Sequence, residues 1–458
     1  MHGKDAAAMK AWLSDILDAG GAMRPEGYVR SIPRVDTLDL PPGTPVLVRC
    51  DLDVKVTSNH VTDDTRLLSC LETLRHCMKQ GWRAIVIGHV GREPELTLRP
   101  VAEPLSELLG KDVAFLEEWM DEKGLLPAVH EAVKAQKDGS VLVLENTRRH
   151  AIERALWKPP EDMDALAKIM LSFSAGFRRL SSVFVNEAIA ASSKDASSCV
   201  VPFAMDHVAL GFHFHRELAG HFAGAMDAQL LVFSGAKMDK LDDLLGIVKR
   251  GHARVVITAG ALAMALKKAE ARMRGTDFCI GKAEKEENAM EKFYVPPERV
   301  AQAEEILREA AAHGVRFVMP CDFVLDDRSI VERIPPDGLQ MDVGPRTKEA
   351  MEREVSRFIG SFGRNDGGAA VFHNGVFGKF EDPRFEAGTA WFMGQLRRMG
   401  QAGIRVYVGG GEGGEALRRY GSPSWVAHDF SCGGTILTAM AGEAVAPLKA
   451  MSMACGSR

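Results

Sequence analysis

The chain lacks most of the features that would take it out of the ordinary soluble class. Its 458 residues hold no run of about 20 apolar residues, which excludes a helical membrane span. The opening residues MHGKDAAAMKAW have no continuous apolar core, so no secretory leader is expected. Eight cysteines (Cys50, Cys70, Cys77, Cys199, Cys279, Cys321, Cys432 and Cys455) form no Cys-x-x-Cys pair and no framework spacing, and they read as reduced thiols. Charge of one sign is also missing. Lys and Arg number 57 against 62 Asp and Glu, and the net charge of -5 is too small to make nucleic acid the main partner. We expect a cytoplasmic protein that binds neither nucleic acid nor membrane.

Glycine, by contrast, is plentiful, and it clusters where apolar runs end. In 404–420 an apolar strand runs into Gly409, Gly410 and Gly411, then Gly413 and Gly414, and then into a charged helix. Such a turn lets the backbone approach a ligand and points free helix N–H groups at it, which suits phosphate. The spacing Gly409, Gly411, Gly414 also fits a dinucleotide-binding fingerprint.

The length suggests two or more domains. Residues 1–35 read as an N-terminal extension with one helical pattern over 8–17. From 36 to 205, apolar strands end repeatedly in charge: at Asp51 and Asp53, at Gly88-His89-Val90-Gly91-Arg92, at Glu145 to His150, and at Asn186-Glu187. Amphipathic helical patterns over 66–80 and 162–173 lie between them. This alternation predicts a parallel α/β sheet covered on both faces. Residues 207–226 read as one helix connecting two domains, with 206–225 as the interdomain segment. Its His207, His213, His215 and His221 lack the carboxylate or thiolate cluster that a metal site would add. The α/β rhythm restarts over 226–434, with strand ends at Ser234 to Lys237, Thr258 to Gly260, Asp322, Asn374-Gly375, Gly409 to Gly411 and Ser431 to Gly434. The expected fold is thus α/β, two Rossmann-like parallel-sheet domains whose polar edges face a cleft.

Taken in order, these motifs resemble the phosphoglycerate kinase family over 46–451. Arg49-Cys50-Asp51-Leu52-Asp53 is similar to its RVDFN segment, and Thr62 to Arg66 to its TDDTR segment. Gly88 to Arg92 resembles SHLGR, Leu144 to Arg148 resembles LENxR, and Val185 to Ala188 resembles VNDA. Ser234 to Lys237 resembles GGAK, Asp342 to Pro345 DxGP, Asn374 to Gly378 NGPxG, Gly409 to Glu412 GGGD, and Ser431 to Gly434 TGGG. The resemblance implies a monomeric, hinge-bending kinase passing phosphoryl between ATP or ADP with Mg2+ and 3-phosphoglycerate. Segment 435–458 would return to the first domain. Asp51, Asp53, Arg66, His89, Arg92, Arg148 and Lys194 would hold the acid. Arg66, Lys237 and the amides of Gly410, Gly411 and Gly433 would meet the migrating group. Gly235, Lys237, Lys240, Gln340, Asn374, Glu381, Gly409, Gly410, Gly411 and Glu412 would hold the nucleotide, with Glu412 on the metal.

The departures from the family concern both ends. Asp53 stands for an Asn and Lys194 for an Arg, with Ser193 and Ala196 in place of histidines, so the acid could differ from 3-phosphoglycerate. Thr258-Ala259-Gly260 replaces a triple-glycine turn, and Gln340 and Lys379 replace small or apolar residues. All stand where the family packs the purine, and they either bond a base in a new way or fill the slot; weaker adenine discrimination is expected. A kinase for another acid or phosphoryl donor, a non-catalytic binding relative and a dinucleotide-binding dehydrogenase stay open at this point.

Overall fold

The computed structural model describes residues 5–58, 60–91, 93–362 and 368–456. The chain divides into two compact units, one running to Gly220 and resuming at Glu443, the other His221–Gly442.

The first unit is built on a six-stranded sheet. Its order is His207–Leu210, Val183–Asn186, Pro45–Arg49, Arg83–Ile87, Val141–Leu144, Val113–Leu116. Every neighbouring pair is parallel. Strands such as Val141–Leu144 and Val183–Asn186 are buried along their whole length, because helices cover both faces and leave no polar side to alternate with. The helical patterns appear as Thr65–Lys79 and Met163–Leu180.

The N-terminal segment is integral to this unit. Asp5 caps the helix Ala6–Leu17 by accepting the Ala8 amide at 2.9 Å. Met9, Trp12, Leu13 and Ile16, spaced on one helix face, are buried, and the helix packs on Met163–Leu180. Trp12 Nε1 donates to the Cys199 carbonyl at 2.8 Å. Burial of each large apolar side chain contributes roughly 1.5–3 kcal/mol. The C-terminal helix Ala446–Gly456 completes the packing, with Lys449 Nζ donating to the carbonyls of Asp18 (3.0 Å) and Gly20 (2.8 Å).

The stretch 207–226 corrects the single helix expected there. It is an edge strand, His207–Leu210, then two helices, Phe212–Ala219 and Phe222–Met226. The apolar run Val208-Ala209-Leu210 pairs with Val183–Asn186, and Gly211 and Gly220 bound the first of the two helices. Tertiary pairing overrides helical spacing in so short a run.

The second unit repeats the plan in the order Arg316–Val318, Val255–Thr258, Leu230–Phe233, Ala370–Asn374, Arg405–Gly409, His428–Phe430. All of these pairs are parallel. A small antiparallel sheet of Ile330–Val331, Phe323–Leu325 and Gln340–Val343 lies beside it. Because the strands of each main sheet run one way, their C-terminal ends share one edge, where an open α/β sheet binds ligands. Among the described residues no helix is long and apolar enough to cross a membrane.

Candidate active site

In the first unit, Asp51 lies two residues past the strand Pro45–Arg49 and is buried. Arg66 Nη1 donates to both its oxygens, at 2.8 and 3.0 Å. Arg66 lies in the first turn of Thr65–Lys79, so the helix start fixes its backbone. Asp53 brings one oxygen within 3.8 Å of the same Nη1 and accepts the Gly91 amide with the other at 2.7 Å. The charge of Asp51 is the main cause raising the Arg66 pKa. Nη2 and Nε of Arg66 have no partner among the described residues.

His89 is buried beside three cations. Arg49 Nη2 donates to its Nδ1 at 2.7 Å, so the ring carries its proton on Nε2. Burial first, then Arg49, Arg148 and Arg66, hold its pKa well below the usual 6.5, and the ring is neutral. Its 3.7 Å approach to Asp195 is therefore not an ion pair.

Asn146 explains the motif that carries Arg148. Its Oδ1 accepts the Arg148 amide at 3.1 Å, and its Nδ2 donates to the carbonyls of Val90 (3.0 Å) and Leu96 (2.9 Å), so one buried amide ties two loops together. Arg148 is 5% exposed. Its Nη1 donates to the Gly91 carbonyl at 2.9 Å, and its Nη2 to Asp195 at 3.2 and 3.5 Å. Asp195 was not anticipated from the sequence, although it directly follows Lys194. An acid next to an expected cation was the available signal. Lys194 itself is half-buried and has no ion pair among the described residues, and Arg92 lies outside them.

Glu187 of the VNDA-like motif acts in the fold. It accepts Thr73 Oγ1 at 2.7 Å and the amides of His213 and Phe214 at 3.0 and 2.9 Å, where the helix Phe212–Ala219 begins. Burial raises its pKa to about 7.

In the second unit the strand ends form glycine turns. At Gly433 a Cβ would lie 2.5 Å from Gly409 C and Gly410 N and 2.6 Å from Asn374 Nδ2, so only glycine lets three strand ends meet. Asn374 Nδ2 locks them by donating to the Gly409 carbonyl at 2.9 Å. Gly411 and Gly433 start the helices Gly411–Tyr420 and Gly433–Met440. Lys240 Nζ donates to the Ser234 carbonyl at 2.9 Å. Burial lowers its pKa to about 8, Glu412 opposing and Lys237 adding to the fall. Lys237 is exposed, and its side chain has no partner among the described residues.

Beside these turns lies a cavity of about 640 Å³, lined by Gly235, Gly260, Ala261, Gln340, Lys379, Glu381 and Glu412 with apolar walls from Met264, Phe293 and Phe377. That volume suits a nucleoside-sized ligand. Among the described residues no group of three or more His, Cys, Asp or Glu could hold a metal. Glu412 on the cavity wall is a single hard oxygen ligand. That fits a magnesium ion, which takes one or two carboxylates and completes its shell with phosphate and water.

Two expectations need correction. Thr258 and Ala259 do not fill this cavity. Both are fully buried, Ala259 belongs to the hydrophobic core, and Thr258 Oγ1 has no hydrogen-bond partner. The strand carries them inward, and the chain turns toward the cavity only at Gly260 (φ +69°). The Gly410 amide is engaged by the Phe430 carbonyl at 3.1 Å, because the turn continues the pairing of neighbouring strands. Gly410 shapes the turn, leaving Gly411 and Gly433 at helix starts.

Fold and site together are those of a parallel α/β phosphotransferase. The family model for phosphoglycerate kinase matches residues 35–443, and the chain belongs to that family, whose members use a carboxyl group as acceptor. It is 28% identical over 426 residues to the phosphoglycerate kinase of Eremothecium gossypii, covering 88% of this chain and 94% of the relative. It is 27% identical over 424 residues to that of Clostridium beijerinckii, covering 90% and 96%. The crystal structure of phosphoglycerate kinase from Pyrococcus horikoshii shares the fold with a TM-score of 0.74 at 23% identity. That match spans 93% of this chain and 100% of the other.

Proposed function

We propose that this chain transfers phosphoryl between ATP or ADP and the carboxyl group of a small acid, 3-phosphoglycerate being the acid that the family relation supplies. The observation that carries this reading is that, among the described residues, Nε and Nη2 of Arg66 and the side chain of Lys237 keep cationic donors without partners, while Asp51 anchors Arg66 and the Ser234 carbonyl holds Lys240. Phosphoryl transfer needs in-line positioning, and cations and N–H donors on the equatorial oxygens, with little covalent help. Arg66 and Lys237 are suited to that role, with the amides of Gly411 and Gly433.

On the acid side, Asp51 and Asp53 orient Arg66, and neutral His89 offers Nε2–H. Arg92, Arg148 and Lys194 are the further acid-side cations. On the nucleotide side, Gly235, Lys240, Asn374, Gly409 and Gly410 form the phosphate end, while Gln340 and Glu381 line the base and ribose end. Glu412 would hold Mg2+, which neutralises phosphate charge. Residues 36–205 would form the acid domain and 226–434 the nucleotide domain of a cytoplasmic, monomeric enzyme.

A different small acid is a second reading. The pairing of Arg148 with Asp195 favours it. ADP release measured with and without each acid tests the proposal. Arg66→Ala and Lys237→Ala should each lower kcat by about a hundredfold or more, the range seen when a transition-state donor is removed. ATP turnover that ignores the acid and both substitutions would reject it.

A further inference from the structure

Asp195 is fully buried, and Arg148 and His89, both assigned to the acid, are among the groups that surround it. Its Oδ2 accepts Arg148 Nη2 at 3.2 Å and Arg49 Nη2 at 3.5 Å, and lies 3.7 Å from His89 Nδ1. Its Oδ1 accepts Trp157 Nε1 at 2.9 Å. The Trp157 ring also stacks on the Arg148 guanidinium, 5.0 Å from its centre, so one side chain holds both partners together. Behind them, Glu153 accepts the hydroxyl and amide of Ser197 at 2.6 and 2.9 Å, and Ser197 Oγ accepts Arg49 Nε at 3.2 Å.

Both cations of this cluster are engaged without a ligand. Arg49 and Arg148 already face a resident carboxylate, and a second acid stands behind it. Arg66 likewise faces Asp51 and Asp53. Among the described residues, the cationic donors left for an incoming anion are Lys194 and the outer nitrogens of Arg66, beside the neutral Nε2–H of His89 and the buried Nε of Arg148. A phosphate monoester adds about two negative charges at pH 7 and needs uncompensated cations or N–H donors around it. Freeing Arg148 for it would leave Asp195 buried without its closest cation.

We propose that Asp195 is a specificity determinant that sets the charge this acid site accepts, so that the favoured substrate is a small carboxylic acid without a phosphoryl tail. The inference rests on the acid-site reading of the proposed function and narrows it. The carboxyl group remains the acceptor. What Asp195 changes is the tail that the site tolerates beside it.

The test is calorimetric titration of the full chain with glycerate and with 3-phosphoglycerate, on wild type and Asp195→Asn. The substitution keeps the shape of the side chain and removes its charge. Wild type is expected to bind glycerate at least as tightly as 3-phosphoglycerate. Asp195→Asn should tighten 3-phosphoglycerate by about tenfold or more, a change of roughly 1.4 kcal/mol, while glycerate shifts by less than about threefold. The wild-type ratio needs no variant, so it decides even if Asp195→Asn fails to fold. A wild type that prefers 3-phosphoglycerate overturns this proposal alone and leaves phosphoryl transfer standing. So does a variant that weakens both acids equally. Binding of neither acid by wild type overturns the acid-site reading and this proposal with it.

Discussion

Replacing Arg148 by alanine tests how firmly the buried pair is built in. Asp195 is fully buried and the Arg148 side chain is 6% exposed, so the variant strands a carboxylate away from water. Breaking such a pair by removing one partner costs about 3–5 kcal/mol. Arg49 at 3.5 Å and the Trp157 N–H at 2.9 Å still face Asp195, which places the loss near the lower end, at about 3 kcal/mol. For a domain of roughly 200 residues each kcal/mol shifts Tm by about 2–4 °C, so the first unit should melt about 6–12 °C lower. The double variant Arg148→Ala, Asp195→Ala removes the stranded charge and should recover at least about 1 kcal/mol, a positive coupling in a double-mutant cycle. Thermal and urea unfolding of the four proteins measures it. A single variant within about 0.5 kcal/mol of wild type, or additive losses, would refute the reasoning.

Three further outcomes rest on particular contacts. Gly433→Ala drives a Cβ into the backbone of Gly409 and Gly410 and should destabilise the second unit by about 1–3 kcal/mol, whereas Gly434→Ala, with open space around it, should leave the melting curve in place. Burial and the neighbouring Asp195 raise the Glu153 pKa to about 7 from an ordinary 4.5, so its contribution is full below 4.5 and is lost as pH rises through about 7. Glu153→Gln should flatten the fall in stability over that window by up to about 3 kcal/mol, read from unfolding at a series of pH values. Thr258→Val removes a buried hydroxyl that has no partner and should stabilise by about 1 kcal/mol without changing ATP affinity, while Gln340→Gly on the cavity wall should change that affinity in calorimetry.

The two parallel sheets were legible because buried strands carry unbroken apolar runs that end in charge or glycine. The amphipathic patterns over 66–80 and 162–173 fall on the helices Thr65–Lys79 and Met163–Leu180. Where the reading failed, spacing alone could not separate alternatives. Val208-Ala209-Leu210 satisfies a strand and a helix equally, and only pairing with Val183–Asn186 decides. Thr258 and Ala259 stand where a family turn would face the ligand, but the direction of a side chain at a strand end depends on where the chain turns, here at Gly260. Arg148 stood out in the sequence as a candidate acid-side cation. Its partner did not, because spacing does not show which residue 47 positions away a cation will meet, and only the acid next to Lys194 hinted at it.

The central claim, phosphoryl transfer to a carboxyl group, is tested most directly by trapping the product. An acyl phosphate reacts with hydroxylamine, so incubation with Mg-ATP, hydroxylamine and either glycerate or 3-phosphoglycerate should yield the acid's hydroxamate in step with ADP. Lys237→Ala, at an exposed position without a partner among the described residues, should fold normally and form hydroxamate about a hundredfold more slowly. ADP formed without hydroxamate, or hydroxamate formed equally fast by Lys237→Ala, would contradict the account.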